Sequence, residues 1–557
     1  VATTSSVGGH DFPRFDDDYR HRWVSAGMWG DRTLHDLFDE TVAGRADDVA
    51  VITKERRLTF GEFKSESDAL AAGLVGMGVE RGDIVAVQLP NWIEFCLLQI
   101  ALSRIGAVIQ PTHTVFREME LSSLLGFCDT DFIVVPGEFE GHDYARAVRN
   151  IRSDLPRLRK LVIARGEATS DDEVEFDALV DTGRRELDRL ESVTTDPDDA
   201  FYLNFTSGTE GNPKGFLHTH NSLISTFRNM SQALASLDPG MVNLTCSPMT
   251  HSFGHFTTYQ CALGGIPMIL VDKYRPIDVL QLIERDGATS ISGTPAHLIG
   301  LLHHPDFADF DTSSVRSVSL GGARSSPELI QELEATWGTK SANTYGMGEN
   351  IIHTRTMPWD PDDKAAESVG QPLFGAELRI VDPADRSTEL PPGEVGDIMF
   401  RGPTLFLAYH KQPELTAATR DDEGWFVTGD RGYVDEEGYL YFAGRAKEVI
   451  NRGGTKIYPK VIEERLAGHP DIVEAAVVGM PDERLGERVC AYLITRGDTT
   501  VSVDQLRTYF AEQRASKSLV PEVVMIVDDF PMTPTGKIAK AALAEDAAER
   551  TQGRDTP

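Results

Sequence analysis

Short apolar runs alternate with helix-period segments along most of this chain, and few folds other than largely parallel sheets covered by helices accept that alternation. Residues 84–90 (IVAVQLP) read as a buried strand, and Asn91 is placed to cap the following helix, WIEFCLLQIALSRIGA. Residues 315–320 (VRSVSL) alternate like a strand and stop at Gly321-Gly322. A helix start follows at Ser326-Pro327-Glu328, with serine as the cap and proline in the first turn. The expected fold is therefore α/β, and in such sheets ligands bind in loops beyond the carboxyl ends of the strands. The last stretch is built differently. Residues 439–443, 472–480 and 522–527 are strand-like, and 461–466 and 503–510 are helical in period. They predict a small α+β unit of about 110 residues, joined near 444–448. The acidic tail after Ala542 reads as a frayed end or a solvated helix.

A chain of 557 residues is too long for one ordinary core, which agrees with two domains. Its formal net charge is -33. Such a surface argues against sequence-independent nucleic-acid binding, which needs lysine and arginine to displace phosphate counterions. It also disfavours docking on anionic lipid. The charge fits simple solubility or a salt-rich cytoplasm. Cys96, Cys128, Cys246, Cys261 and Cys490 form no CxxC pair, so neither a zinc site nor a disulfide framework is expected, and a reducing cytoplasm fits. No signal peptide is visible at the N-terminus, and the longest apolar stretch, 95–109, is broken by Gln99, Ser103 and Arg104, as in a buried helix rather than a membrane span.

The strand-like run 201–205 (FYLNF) leads into Thr206-Ser207-Gly208-Thr209-Glu210-Gly211-Asn212-Pro213-Lys214-Gly215. Three hydroxyls, three glycines and a lysine in ten residues suit a phosphate loop. Glycine lets backbone N–H groups approach the anion, hydroxyls donate hydrogen bonds and lysine adds charge. The run is not a Walker A loop, because Lys214 precedes Gly215 rather than serine or threonine. On these residues alone a flexible surface loop is an equal alternative.

The run TSGTEGNPKG resembles the signature of the adenylate-forming superfamily, which includes acyl-CoA synthetases, nonribosomal adenylation domains and beetle luciferases. Four further motifs follow in that family's order. Asn343-Thr344-Tyr345-Gly346-Met347-Gly348-Glu349 is similar to its YGxTE loop, and Trp425-Phe426-Val427-Thr428-Gly429-Asp430 to its W-x-x-TGD loop. Gly444-Arg445-Ala446-Lys447-Glu448-Val449-Ile450 resembles its hinge, and Pro531-Met532-Thr533-Pro534-Thr535-Gly536-Lys537 its catalytic-lysine loop. Residues 19–33 resemble the entry of aryl-acid and alicyclic-acid ligases. The resemblance implies a large N-terminal domain of layered sheets and helices over 1–444, a hinge at 445–447, and a small mobile α+β C-terminal domain over 448–557.

It also implies roles. Adenylation brings a carboxylate to the α-phosphorus of ATP, so two anions must meet and cations must face the developing charge. Lys537 is implied as that cation. Glu349 is implied as the carboxylate that binds Mg²⁺, assisted by Thr209. Thr206, Ser207, Gly208 and Lys214 fall to the phosphates. Gly322, Ala323, Arg324, Asn343, Thr344, Tyr345, Gly346 and Met347 fall to the adenine and its surroundings, and Asp430 and Arg445 to the ribose. Lys447 is the hinge position, about which the small domain would swing between the two half-reactions. Gly454 would border the tunnel through which coenzyme A delivers its thiol. No enzyme nucleophile is required, because acyl-AMP carries its own leaving group.

Residues 247–255 (SPMTHSFGH) resemble the segment that lines the acyl pocket, with His251, Ser252, Phe253 and Gly321 on the substrate. Two positions depart from the family. Aryl ligases that read a 2-hydroxyl carry asparagine where this chain has Ser252, and many members carry threonine where it has Gly348. The first makes an ortho-hydroxy aromatic acid less expected than a medium-chain, alicyclic or other aromatic one. The expected activity is an acid–CoA ligase with ATP, Mg²⁺ and coenzyme A, a small acid as partner, no nucleic acid, and room for a homodimer. The alternative is a stand-alone adenylation enzyme that loads a carrier-protein phosphopantetheine. No carrier domain follows Lys537 within this sequence, which favours free coenzyme A. A catalytically dead binding module is disfavoured by Lys537, Glu349, Asp430 and Lys214.

Overall fold

The computed structural model describes residues 3–206, 214–322, 325–373, 375–452, 455–482, 484–497, 499–513, 515–533 and 538–552. Among these, one compact unit takes the chain up to Glu377 and again over Arg401–Ala418, and the other takes Leu378–Phe400 and the chain from Thr419 onward.

The first unit is built on two large sheets. In the eight-stranded sheet, Ile84–Val87 lies between Phe132–Pro136 and Val108–Pro111, all parallel. Each of these strands is buried at every residue, which is why each reads as an unbroken apolar run. Beyond Val108–Pro111 come Ala200–Thr206, then Lys214–Thr219 and Ala408–Tyr409, the last two antiparallel additions. The nine-stranded sheet has Asn243–Thr245, Ser290–Gly293, Ser317–Leu320 and Ser341–Met347 as parallel neighbours, and Asn350–Arg355 turns back antiparallel on the last of them. Leu244, Ile291, Val318 and Leu320 pack on Leu298, Leu329 and Leu333 to form its apolar core.

The helix after the first of these strands is Ile93–Ile105, and its cap position is Trp92 rather than Asn91. Asn91 works elsewhere. Its amide N–H donates to the Ser247 carbonyl at 3.1 Å, and its side-chain oxygen accepts from the Met249 N–H at 2.7 Å. Ser326 is a cap as expected, accepting from the Leu329 N–H, with Pro327 first in the helix Pro327–Trp337.

The second unit holds a four-stranded sheet, Glu377–Val381, Gly396–Arg401, Phe426–Val434 and Leu440–Arg445, and a five-stranded one centred on Ile472–Asp482 and Gly486–Thr495. The helices Pro459–Ala467 and Val503–Glu512 cover one face through Ile462, Leu466, Leu506 and Phe510. The tail is not a solvated helix. Lys540–Gln552 buries Leu543 and Ala547 against Val478, Met480 and Tyr492, and the Tyr492 O–H donates to Asp546 at 2.6 Å. Acidic residues hid this face in the sequence, because few of the described side chains of the helix reach the core. All five cysteines are buried and unpaired. No helix among the described residues is long and apolar enough to cross a membrane.

Candidate active site

Strands Ala200–Thr206 and Lys214–Thr219 pair antiparallel, with Thr206 opposite Lys214. The glycine-rich run thus joins the ends of a hairpin. Ser207, Gly208, Thr209, Ala323, Arg324, Gly454 and Lys537 lie outside the described residues.

This hairpin meets the YGMGE turn. A Cβ built on Gly348 would lie 2.3 Å from Phe216 Cε1 and 2.6 Å from Cζ. The Phe216 ring therefore fills the space a side chain at 348 would need, and this explains the departure to glycine. His218 Nε2–H donates to the Gly348 carbonyl at 2.8 Å. Tyr409, the register partner of Phe216, donates its O–H to Glu349 Oε1 at 2.6 Å. Glu349 is thus held buried by a strand at the edge of the other sheet. Phe216, His218 and Tyr409 were not singled out in the sequence; they join positions far apart in the chain, His218 and Gly348 130 residues apart, and no local pattern marks them. Gly348→Thr is expected to cost about 1–3 kcal/mol by overpacking against the ring. Adding Phe216→Val should return most of that loss, as read by thermal or denaturant unfolding.

The Ser341–Met347 strand carries five candidate ATP residues. Asn343 is buried, and its amide donates to the Ser368 carbonyl at 3.0 Å. Thr344 Oγ1 accepts from Arg355 at 3.3 Å. Tyr345 and Met347 are half-buried, with a break in register between them. At Gly346 a Cβ would fall 2.0 Å from the Ile351 carbonyl oxygen, so no side chain fits.

The proposed acyl segment packs on the same framework. His251 caps the short turn Ser252–His255, its Nδ1 accepting from the Phe253 N–H at 3.2 Å. Its ring stacks near that of His113, which burial holds neutral by lowering its pKa to about 4. Asn204 donates to Tyr202 Oη at 2.6 Å, which leaves the Tyr202 O–H to reach Ser252 Oγ at 3.3 Å. Burial pushes the Tyr202 phenol up to about 12, so it remains a donor. Gly321 abuts Phe253: a Cβ there would lie 2.6 Å from Cε2. Gly322 has φ +78, which glycine adopts without strain.

Within the second unit, Asp430 and Arg445 face each other across antiparallel strands, with Arg445 Nε 3.3 Å from Asp430 Oδ1. Asp430 is buried and Arg445 exposed. Lys447 lies in the tight turn Ala446–Glu448.

Glu349 suits Mg²⁺. Among the described residues no group of three or more His, Cys, Asp or Glu could hold a metal ion. Mg²⁺ needs none: it takes one or two carboxylates and completes its shell with water and phosphate oxygens. Tyr409 occupies Oε1 and steadies the carboxylate.

Comparison with known proteins identifies the family. The family model "AMP-binding enzyme" matches residues 38–410, and "AMP-binding enzyme C-terminal domain" matches 461–537. The medium-chain fatty-acid–CoA ligase of Escherichia coli K12 is 31% identical over 540 residues, covering 96% of this chain and 94% of that protein. The 2,3-dihydroxybenzoate-AMP ligase of Bacillus subtilis 168 is 30% identical over 545 residues, covering 97% and 98%. Among solved structures, ATP-bound MatB from Rhodopseudomonas palustris superposes with a TM-score of 0.80 at 28% identity, covering 92% of this chain and 99% of that one. The first model spans the glycine-rich run and the YGMGE turn, the second follows it in order and reaches Lys537, and the chain belongs to the AMP-binding enzyme family.

Proposed function

We propose that this protein is an ATP-dependent carboxylic acid–CoA ligase that works through an acyl-AMP intermediate. The observation that carries the reading is the meeting of the glycine-rich hairpin with the Glu349 turn at Phe216 and Gly348. The reading takes Lys214 of this hairpin as a phosphate donor and Glu349 of this turn as the Mg²⁺ carboxylate. Family membership and the activities named for its relatives support it.

In the first half-reaction a carboxylate oxygen of the acid attacks the α-phosphorus. The bond from that phosphorus to the bridging oxygen breaks, and pyrophosphate leaves. Lys214 and the backbone and hydroxyls of Thr206, Ser207, Gly208 and Thr209 bind the phosphates. Glu349, with Thr209, holds Mg²⁺, which supplies charge neutralisation when bound. Lys537 faces both anions. Tyr345 packs on the adenine, bordered by Gly322, Ala323, Arg324, Asn343, Thr344, Gly346 and Met347, while Asp430 and Arg445 bind the ribose. His251, Ser252, Phe253 and Gly321 border the acyl group. In the second half-reaction the coenzyme A sulfur attacks the acyl carbonyl carbon and AMP leaves. A C-terminal domain over 448–557 turns about Lys447 against residues 1–444 to remove Lys537 and admit the thiol past Gly454. We place the enzyme in the cytoplasm, where its unpaired thiols stay reduced. Size-exclusion chromatography with light scattering tests whether it is a homodimer.

The activity is checked by pyrophosphate release over a panel of octanoate, cyclohexanecarboxylate, benzoate and their derivatives, with and without coenzyme A. Acid-dependent release with CoA-dependent turnover is expected. Silence with every acid would end the ligase reading, and turnover that requires a carrier protein would move it to carrier loading.

A further inference from the structure

The nine-stranded sheet has two unlike faces. Register partners in parallel strands point the same way. One face carries the apolar core residues Leu244, Ile291, Val318 and Leu320. The other carries Asn243 and Thr245, opposite Ser290 and Ser292, which stand opposite Ser317 and Ser319. Ala342 and Thr344 extend that face. All are buried except Ser317, which is half-buried. A sheet covered on both sides ordinarily buries apolar side chains on each. Here a row of hydroxyls and one amide is buried instead. Thr245 Oγ1 and Ser247 Oγ, at the start of the acyl segment, are buried without a hydrogen-bond partner among the described residues.

The row ends at Arg355. This residue stands opposite Thr344 and is only 6% exposed. Its Nη1 donates to Ser319 Oγ at 3.0 Å and to Thr344 Oγ1 at 3.3 Å. Among the described residues no carboxylate pairs with it, and burial lowers its pKa to about 10. It lines a cavity with Met230, Leu234, Ser317, Lys340, Ala342 and Trp359. A buried guanidinium with neutral partners alone is costly, and the cost falls when an anion joins it. A guanidinium fork matches a carboxylate in two parallel hydrogen bonds.

The acyl segment lies on the same face. Gly321 is two residues beyond Ser319, about 7 Å along the strand, and its Cα faces the Phe253 ring. Arg355 thus donates to Ser319, a side chain about 7 Å along the strand from the point where Gly321 meets the Phe253 ring. We propose that Arg355 receives a second carboxylate of the acid substrate, so that the enzyme activates compact dicarboxylic acids at the opposite end. This inference rests on the ligase reading.

The test uses matched pairs: glutarate and valerate, suberate and octanoate, terephthalate and 4-methylbenzoate. The measurement is acid-dependent pyrophosphate release by the full chain. In at least one pair the diacid should exceed the monoacid in kcat/KM by about 100-fold, because a site built for a polar group rejects the analogue that lacks it. Arg355→Met should lower that diacid by about the same factor and leave the monoacid within about threefold. If Arg355→Met does not fold, the wild-type ratios decide alone. A monoacid equal to or better than its diacid in every pair overturns the proposal while leaving the ligase reading intact. Silence of all six acids with pyrophosphate release from other acids also overturns it. If no acid at all is turned over, the ligase reading has failed. Calorimetric titration of the six acids into wild-type protein then decides: tighter binding of a diacid supports the Arg355 site, and its absence overturns it.

Discussion

Lys537→Ala is expected to slow acyl-AMP formation by about 100- to 1,000-fold, while thioester formation from supplied acyl-AMP stays within about threefold of wild type. The asymmetry follows from the charges. Adenylation presses a carboxylate against a polyphosphate, and an ammonium aimed at both offsets their repulsion only while they meet. Thiol attack on acyl-AMP joins no two polyanions at the reacting atoms, and its leaving group is already activated. Single-turnover measurement of the two half-reactions separates these cases. Equal losses in both would show that Lys537 serves folding or CoA binding instead. Lys537→Arg, which keeps the charge and changes the reach, should recover only part of the first half-reaction.

Glu349→Gln is expected to lower adenylation by about 100-fold and to raise the Mg²⁺ concentration needed for half-maximal rate. The amide keeps the shape of the carboxylate, and its oxygen still accepts from Tyr409, so the turn should hold its geometry. What disappears is the negative charge. Tyr409→Phe should cost less, about tenfold, because the carboxylate remains and loses only the Tyr409 hydrogen bond. Adenylation by Glu349→Gln that matches wild type at every Mg²⁺ concentration would remove Glu349 from the metal-binding role.

The elements that came through from the sequence are those whose cause is local. Residues 84–87 form a strand because each is apolar and sits between covered faces. Ser326 and Pro327 start a helix because a hydroxyl accepts from an N–H three residues on and proline has no N–H to lose. The misread elements depend on distant partners. Asn91 has the chemistry of a cap, yet its amide is held by Ser247 and Met249, which the fold brings from more than 150 residues away. The tail helix looked solvated because its core residues are few among acids. The site divides the same way. Its motifs were visible as runs, but the reason for Gly348 was not, because it lies in the ring of Phe216 on another strand. Nothing local marks the setting of Arg355, and the register with Thr344 and the bond to Ser319 reveal its neutral surroundings.

The interior position of every cysteine has a practical consequence. Burial raises the thiol pKa values, to about 12 for Cys96, Cys246 and Cys490. The native enzyme should therefore be nearly inert to maleimides, and it contributes no sulfur that competes with coenzyme A for the acyl group. It supplies a silent background for spectroscopy. A cysteine placed at Met119 in the first unit and another at Val473 in the second, both exposed, can each take a fluorophore without removing any native thiol. The distance between the dyes, followed through ATP, acid and coenzyme A addition, would then test whether the two units move relative to one another.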